Sequence, residues 1–399
     1  MNARNQTRGA VDGVLAVAAI GLAISLAVAF THLISQGHAS FNTASSGVTW
    51  GLPVVTYVFF ALTSTGLTLV ASLALVFGLK AFYPIAKRCI WLSIASIVAG
   101  FASLALELGH PFRMIWAIPL NFQYQSPLLW MGVFYATFLV LGLLKFRRIH
   151  GGDWDSQGSR TLGIAALTAE VFAALTLGSA FGMMAMRPFW FGPEVPVNFL
   201  LSGATTGAAF AVLITYIAHG GLERMPQKVR SVMTGAMPKV LATAVALYFL
   251  MTLYRTVNGL WSNADGLQVW DVIVRSPLYW LEMAALVVAF LLMVGPDTRA
   301  RGPMQVGAAL LTLVAAFIGR YEFVIGGQLV PLFKGAWVPG LIDYVPSLAE
   351  WMLTIMALSI TFLVYAMGER MLDLSAAPGP DTQDAAPDAR IDAPLPRAA

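Results

Sequence analysis

Residues 52–79 read LPVVTYVFFALTSTGLTLVASLALVFGL, a run with no Asp, Glu, Lys or Arg. An α-helix needs about 20 apolar residues to cross the hydrocarbon core of a bilayer, and this run exceeds that length. It lacks the strict alternation of a barrel strand, so a helix is the structure that satisfies its backbone in lipid.

The same reading, carried outward, finds nine more runs, at roughly 10–33, 88–107, 126–145, 161–184, 196–218, 237–256, 277–295, 303–322 and 346–367. The predicted fold is therefore an all-α integral membrane protein with ten transmembrane helices. Composition agrees: 58% of residues are hydrophobic and 11% charged, with a mean hydropathy of +0.73. Soluble domains are about 25% charged. Arg4 and Arg8 precede the first run as in a signal peptide. Its length and the lack of a convincing cleavage site make it an anchor instead.

The sequence pI of about 9.2 raises nucleic acid as a partner. The positions of the basic residues follow membrane topology instead. With the N-terminus in the cytoplasm, one face holds Arg113, Arg187, Arg255, Arg275, Arg320 and Lys334, and the other 18 of the 24 Lys and Arg residues fall inside. That asymmetry is the positive-inside rule. It places both termini in the cytoplasm of a bacterial inner membrane. The segment from about 375, AAPGPDTQDAAPDARIDAPLPRAA, has the Pro, Ala and Asp composition of a disordered tail.

The outer face is unusual. Nine of the eleven tryptophans fall there, among them Trp50, Trp116, Trp130, Trp190 and Trp280. Glu107, Glu282, Glu322 and Glu350 lie within about two turns of the same boundary. Charges near hydrocarbon usually face a cavity or a partner, so a polar pocket is expected at this face. The stretch ELGHPFRMIWAIP, 107–119, concentrates the theme, with a carboxylate, an imidazole and a guanidinium close together. Glu170 differs: counted from the inner end of its span it lies roughly 14 Å deep, near the midplane of a ~30 Å core. It is either a neutral, hydrogen-bonded carboxyl or part of a proton path.

Two short segments repeat. Ser126-Pro-Leu-Leu-Trp130 echoes Ser276-Pro-Leu-Tyr-Trp280, and Ser64-Thr65-Gly66 echoes Thr205-Thr206-Gly207. In the first pair Ser can cap a helix whose first turn takes Pro. The expected organisation is two parallel-repeat four-helix bundles, spans 1–4 within 1–150 and spans 5–8 within 151–300. A C-terminal helix pair (301–374) and the tail (375–399) complete it. Gly203 and Gly207 form a GxxxG that allows close helix contact.

No P-loop, HExxH, Rossmann fingerprint or Ser-His-Asp order is present. The single cysteine, Cys89, excludes a disulfide framework and a Cys-ligated iron–sulfur or zinc centre within the chain. Of five histidines, only His32 with His110 offers a haem pair at matching depth, and neither a haem nor another redox centre is expected here. A quinone remains, since it needs an apolar or aromatic slot, hydrogen bonds at its carbonyls and a proton acceptor. Glu107 or His110, near Trp116 and Trp130, supplies those groups.

Several motifs then form an ordered set: Trp50-Gly51 through Phe60, LELGHPFR (106–113), SPLLWMG (126–132), PVNFLLSGATTG (196–207), SPLYWLE (276–282) and GRYEFVIGGQ…YVPSLAE (319–350). The set resembles the NrfD/PsrC family of polysulfide reductase membrane subunits, and ten spans are most similar to its DsrP- and HybB-like branch. The usual family element DLGRP stands here as ELGHP, with Glu107 for the Asp and His110 for the Arg. The resemblance implies a subunit of a respiratory oxidoreductase in sulfur metabolism, not a stand-alone enzyme. Such a subunit exchanges electrons between menaquinone or ubiquinone and a periplasmic four-cluster iron–sulfur protein, sometimes beside a multihaem cytochrome c.

On that basis Glu107 and His110 are expected at the quinone headgroup and its protons. Arg113 would fix the carboxylate or the loop, and Trp50 and Trp130 would form walls. Glu170, with Asp12 or His219 nearer the cytoplasm, is the expected relay. A proton-coupled secondary transporter and a purely structural membrane anchor are the competing readings.

Overall fold

The computed structural model describes residues 2–43, 47–108, 113, 116, 120–262, 269–331 and 340–378. Ten helices in it are long and apolar enough to span a membrane. We label them α1 (Asn2–Gln36), α2 (Leu52–Leu75), α3 (Tyr83–Glu107), α4 (Pro127–His150) and α5 (Gln157–Gly182), then α6 (Val195–His219), α7 (Ala236–Ser262), α8 (Pro277–Val294), α9 (Gly302–Gly326) and α10 (Leu348–Met371). They alternate in direction. One end of the bundle carries Trp50, Trp130, Trp190, Trp261, Trp280 and Trp351, and the opposite end carries the Lys- and Arg-rich connections.

Local chemistry sets the starts. Pro occupies the first turn of α2, α3, α4, α6, α8 and α9, where its missing N–H leaves no intrahelical bond unmade. Ser276 caps α8 by accepting the Leu278 N–H, whereas Ser126 makes no side-chain cap at α4. Span three begins five residues before its expected start at 88, because Lys87 and Arg88 lie inside the helix and are buried. Arg88 pairs with Glu369 of α10 at 2.5 Å, and Lys87 donates to the Asp373 carbonyl. Partners at the C-terminal end of α10 make two cations tolerable there.

α2 is the centre of the molecule, with 89% of its most apolar stretch buried against 17% for α1. It packs on α3 and on α6, and Gly66 and Gly207 meet there backbone to backbone. A Cβ on either would collide with the opposing main chain. Small residues of this kind let lipid-embedded helices approach closely.

α4 pairs with α5, α8 with α9, and α1 with α10, which leans on α3. Only a short segment joins α4 to α5, and short connections force antiparallel neighbours. Lys145 Nζ ties that corner by donating to the Trp154 and Ser159 carbonyls at 3.2 and 3.0 Å. Most of the tail expected to be disordered, from 379 on, lies outside the described residues.

Candidate functional site

Glu107 is the last residue of α3, and its backbone carbonyl accepts from His38 Nε2 at 2.9 Å. Its side chain turns toward the start of α2. Gly51 donates its N–H to Glu107 Oε1 at 3.3 Å, while Oε2 is buried with no hydrogen-bond partner among the described residues. Buried carboxylate oxygens are rarely left so.

The other side of Gly51 is closed by Glu350. A Cβ at 51 would strike Glu350 Oε1 and Tyr344 Oη, so a side chain there would have to displace both. Glu350 belongs to a capping box with Ser347, accepting the Ser347 N–H at 2.7 Å, the Asn42 N–H at 3.2 Å and the Tyr344 hydroxyl at 2.5 Å. The Tyr344 hydroxyl in turn accepts the Leu52 N–H at 2.8 Å. Two of the four orphan N–H groups that any helix start exposes are thus met from α3 and from the segment before α10. Burial, then the bond to the Glu350 carboxylate, pushes the Tyr344 phenol above the ordinary tyrosine range.

Trp50 is the neighbouring wall. Gln328, fully buried after α9, accepts the Thr49 and Trp50 N–H groups at 2.9 Å each and donates to the Trp50 carbonyl at 2.9 Å. The indole stacks on Trp190 at 5.3 Å and meets Phe181 edge-on at 5.4 Å. Beside this wall lies a cleft of about 440 Å³, lined by Trp50, Trp190, Thr49, Arg187 and the 183–186 methionine-rich turn. Arg187 closes its floor by donating to the carbonyls of Gly327 and Val330 at 3.4 and 2.9 Å. Burial lowers the pKa of its guanidinium.

The four carboxylates expected together form two groups. Glu107 and Glu350 flank Gly51, while Glu282 and Glu322 share a second polar pocket with Arg320, Arg255, Tyr248 and Asn198. The aromatic cluster of Phe181, Trp190, Phe199 and Phe323 lies between the groups.

The other expected residues are spread out. Trp130 is 37% exposed, and its indole donates to the Tyr124 carbonyl at 2.7 Å beside Phe122 and Phe134. Arg113 is exposed, and Gly51, not an ion pair, meets the Glu107 carboxylate. His110 lies outside the described residues. Glu170 is fully buried on α5, with Ser64 Oγ donating to Oε1 at 2.5 Å and Oε2 without a partner.

His219 ends α6 within hydrogen-bond reach of Arg88, 3.2 Å from Nη1. A guanidinium only donates, so His219 Nε2 accepts. Asp12 stands apart, paired with Arg370 at 3.6 Å on an exposed edge. Gln328, Tyr344 and Arg320 are the residues that sequence reasoning left without roles. Arg320 carried a signal, being an ionisable residue inside a spanning helix.

Residues 40–332 match the family model described as Polysulphide reductase, NrfD. The chain belongs to the NrfD family. This NrfD-family chain is similar to a selenate reductase subunit from Mesobacillus selenatarsenatis, 24% identical over 391 residues, 84% of this chain and 88% of that one. It is also similar to the Hdr-like menaquinol oxidoreductase integral membrane subunit of Archaeoglobus fulgidus, 20% identical over 377 residues, with 88% and 92% covered. Glu107, Trp50, Trp190 and Arg187 lie inside the matched range of the NrfD family model, whereas Tyr344 and Glu350 lie beyond it.

Proposed function

We propose that this NrfD-family chain is the quinone-interacting membrane subunit of a respiratory oxidoreductase complex. The observation that carries this reading is the cleft walled by the Trp50–Trp190 stack, with the Glu107 carboxylate bound to the N–H of Gly51, the residue after Trp50. A general base needs an acceptor within reach of the proton it takes. Glu107, one residue pair away from Trp50 through its bond to Gly51, is proposed for that role, and His110 is proposed for the second headgroup oxygen. The volume of about 440 Å³ falls in the range of small-molecule sites.

A bound quinol supplies two electrons and two protons. Trp50 and Trp190 would hold its ring by stacking, Glu107 would accept a proton at Oε2, and Arg187 would shape the floor. Trp130, facing outward, and Arg113, itself exposed, belong to the surround. The electrons leave to a partner, proposed as an extracytoplasmic four-cluster iron–sulfur protein with or without a multihaem cytochrome c. The name of the Archaeoglobus fulgidus relative favours menaquinol as the carrier. The terminal reaction is proposed on a sulfur compound or on selenate, the substrate in the first relative's name. The tryptophan-rich end is read as periplasmic and both termini as cytoplasmic, in an inner membrane.

Glu170 is proposed on a proton path that runs from the His219 end of the bundle through Ser64. α5 is continuous from Gln157 to Gly182, which disfavours the broken-helix transporter reading.

The test is quinol oxidation by the purified complex. Glu107→Gln should lower kcat by about 100-fold, and His110→Ala should weaken quinone binding. Unchanged turnover and binding in both variants would overturn the assignment.

A further inference from the structure

The second pocket is unlike the first. It holds two arginines and two glutamates, all at least nine-tenths buried: Arg255 8% exposed, Arg320 2%, Glu282 2% and Glu322 7%. Among the described residues they do not close into salt bridges with one another. Arg320 Nη2 donates to Asn198 Oδ1 at 2.8 Å and to the Tyr248 hydroxyl at 3.2 Å, and Tyr248 donates to Glu282 Oε1 at 2.9 Å. Tyr248 therefore stands between the cation and the carboxylate. Arg320 Nε and Nη1, Glu322 Oε1 and Thr252 Oγ1 are buried with no hydrogen-bond partner among the described residues. Gly319 makes the room, because a Cβ there would strike Glu282 Oε1 and Tyr248 Oη.

Donors and acceptors of this kind cannot stay unmet in a low-dielectric interior, where an unpaired buried charge costs several kcal/mol. The void they surround is about 30 Å³. One water needs roughly 10–15 Å³ measured this way, so the space takes one or two waters and excludes a quinone ring or a lipid headgroup. Polar linings with unmet groups are where buried water is found.

The pocket also has a direction. Phe199 and Phe323 stack against Arg320 at 4.7 and 5.6 Å and wall it from Trp50. On the other side Arg255 reaches Glu194 at 3.7 Å, and the Glu194 side chain is 18% exposed at the tryptophan-rich end.

We propose that this pocket is a hydrated proton-exchange site, separate from the quinone cleft, in which waters held by Arg320 link Glu282 and Glu322 and connect them to the rim at Glu194. A proton arriving at the cluster lands on a Glu282 or Glu322 oxygen, and one departing passes to the bound water. Only O–H bonds form and break, and no electron moves. Around Glu282 the facing groups are Tyr248 and Arg255 from α7, Arg320 and Glu322 from α9, Asn198 from α6 and Tyr279 on its own helix. The site deepens the quinone reading by adding a proton site to it, so it rests on that reading for its role, though not for its water.

Two measurements test it on the intact complex. A high-resolution experimental structure should show ordered water bonded to Arg320 Nε or Nη1. A dry pocket with Arg320 paired directly to Glu282 would overturn the proposal. Infrared difference spectra between the quinol-reduced and oxidised complex should contain a deuterium-sensitive carboxyl band that vanishes in Glu282→Gln or Glu322→Gln and persists in Glu350→Gln. Wild-type complex that oxidises quinol without such a band defeats this inference and leaves the quinone reading standing. Complex that binds the water but oxidises no quinol defeats the quinone reading instead.

Discussion

Gln328 holds Trp50 by both of its backbone polar groups: Oε1 accepts the N–H and Nε2 donates to the carbonyl, each at 2.9 Å. The orientation of the aromatic wall therefore depends on a side chain far away in sequence. Gln328→Ala would strand the Thr49 and Trp50 N–H groups and the Trp50 carbonyl. Each buried polar group left unmet costs about 1–3 kcal/mol, so a loss of about 3 kcal/mol is expected in denaturation of the purified chain. Quinol KM should rise as the stack with Trp190 loosens. A variant with wild-type stability and KM would show that the grip on Trp50 is dispensable.

The contact of Gly66 with Gly207 makes a second, sharper prediction. Gly207→Ala should lower the unfolding midpoint strongly, with about 3 kcal/mol of strain as the two backbones are forced apart. Gly132 on α4 has nothing near its missing Cβ. Gly132→Ala should leave stability unchanged or raise it by up to about 1 kcal/mol through helix propensity. Equal effects at the two positions would mean that α2 and α6 are not locked by close approach.

The ten spans and their alternation were legible because hydrophobic run length is a local property. The edges were less so. Lys87 and Arg88 look like the end of a membrane span, and only Glu369 and Asp373, nearly three hundred residues away, make them interior. Which helix faces touch is not a local property either, since motif echoes say which helices are alike and not which ones meet. Glu107 was visible as a charge at a span end. That one of its oxygens is anchored by Gly51, and that Glu350 closes the opposite side, depends on two segments meeting across the fold. Gln328 carries no charge and stands in a glycine-rich stretch, so nothing local singled it out.

Tyr344 gives a pH dependence with a definite sign. Its phenol is held neutral in the fold by burial and by donating to Glu350, so its folded pKa is raised. The unfolded chain loses that proton near pH 10, while the folded chain keeps it. Stability from this group is complete below pH 10 and declines as pH rises above it. Tyr344→Phe should be less stable than wild type near neutrality, having lost the bonds to Leu52 and Glu350, and the gap should narrow with alkalinity. Thermal unfolding followed from pH 8 to about pH 11 reads this directly; a gap that widens would contradict the assignment.

Glu170 supplies the prediction that bears most on energy conservation. It is fully buried midway along α5, with Ser64 on one oxygen and nothing on the other. Ser64, Thr68 and Ser72 recur every four residues and so line one face of α2, running toward the arginine-rich end. Thr68 Oγ1, and Ser96 Oγ on α3, are buried without partners. These hydroxyls can pass a proton only if one is delivered to or taken from the carboxyl. Glu170→Gln keeps the shape and the bond from Ser64 but cannot exchange that proton. In liposomes the variant should oxidise quinol at close to the wild-type rate once the membrane is made proton-permeable. In sealed vesicles its proton uptake from the arginine-rich side should be abolished. Ser64→Ala should slow uptake without abolishing it, because Glu170 still titrates. Normal uptake in sealed Glu170→Gln vesicles would leave Glu170 as a hydrogen-bonded tie between α2 and α5.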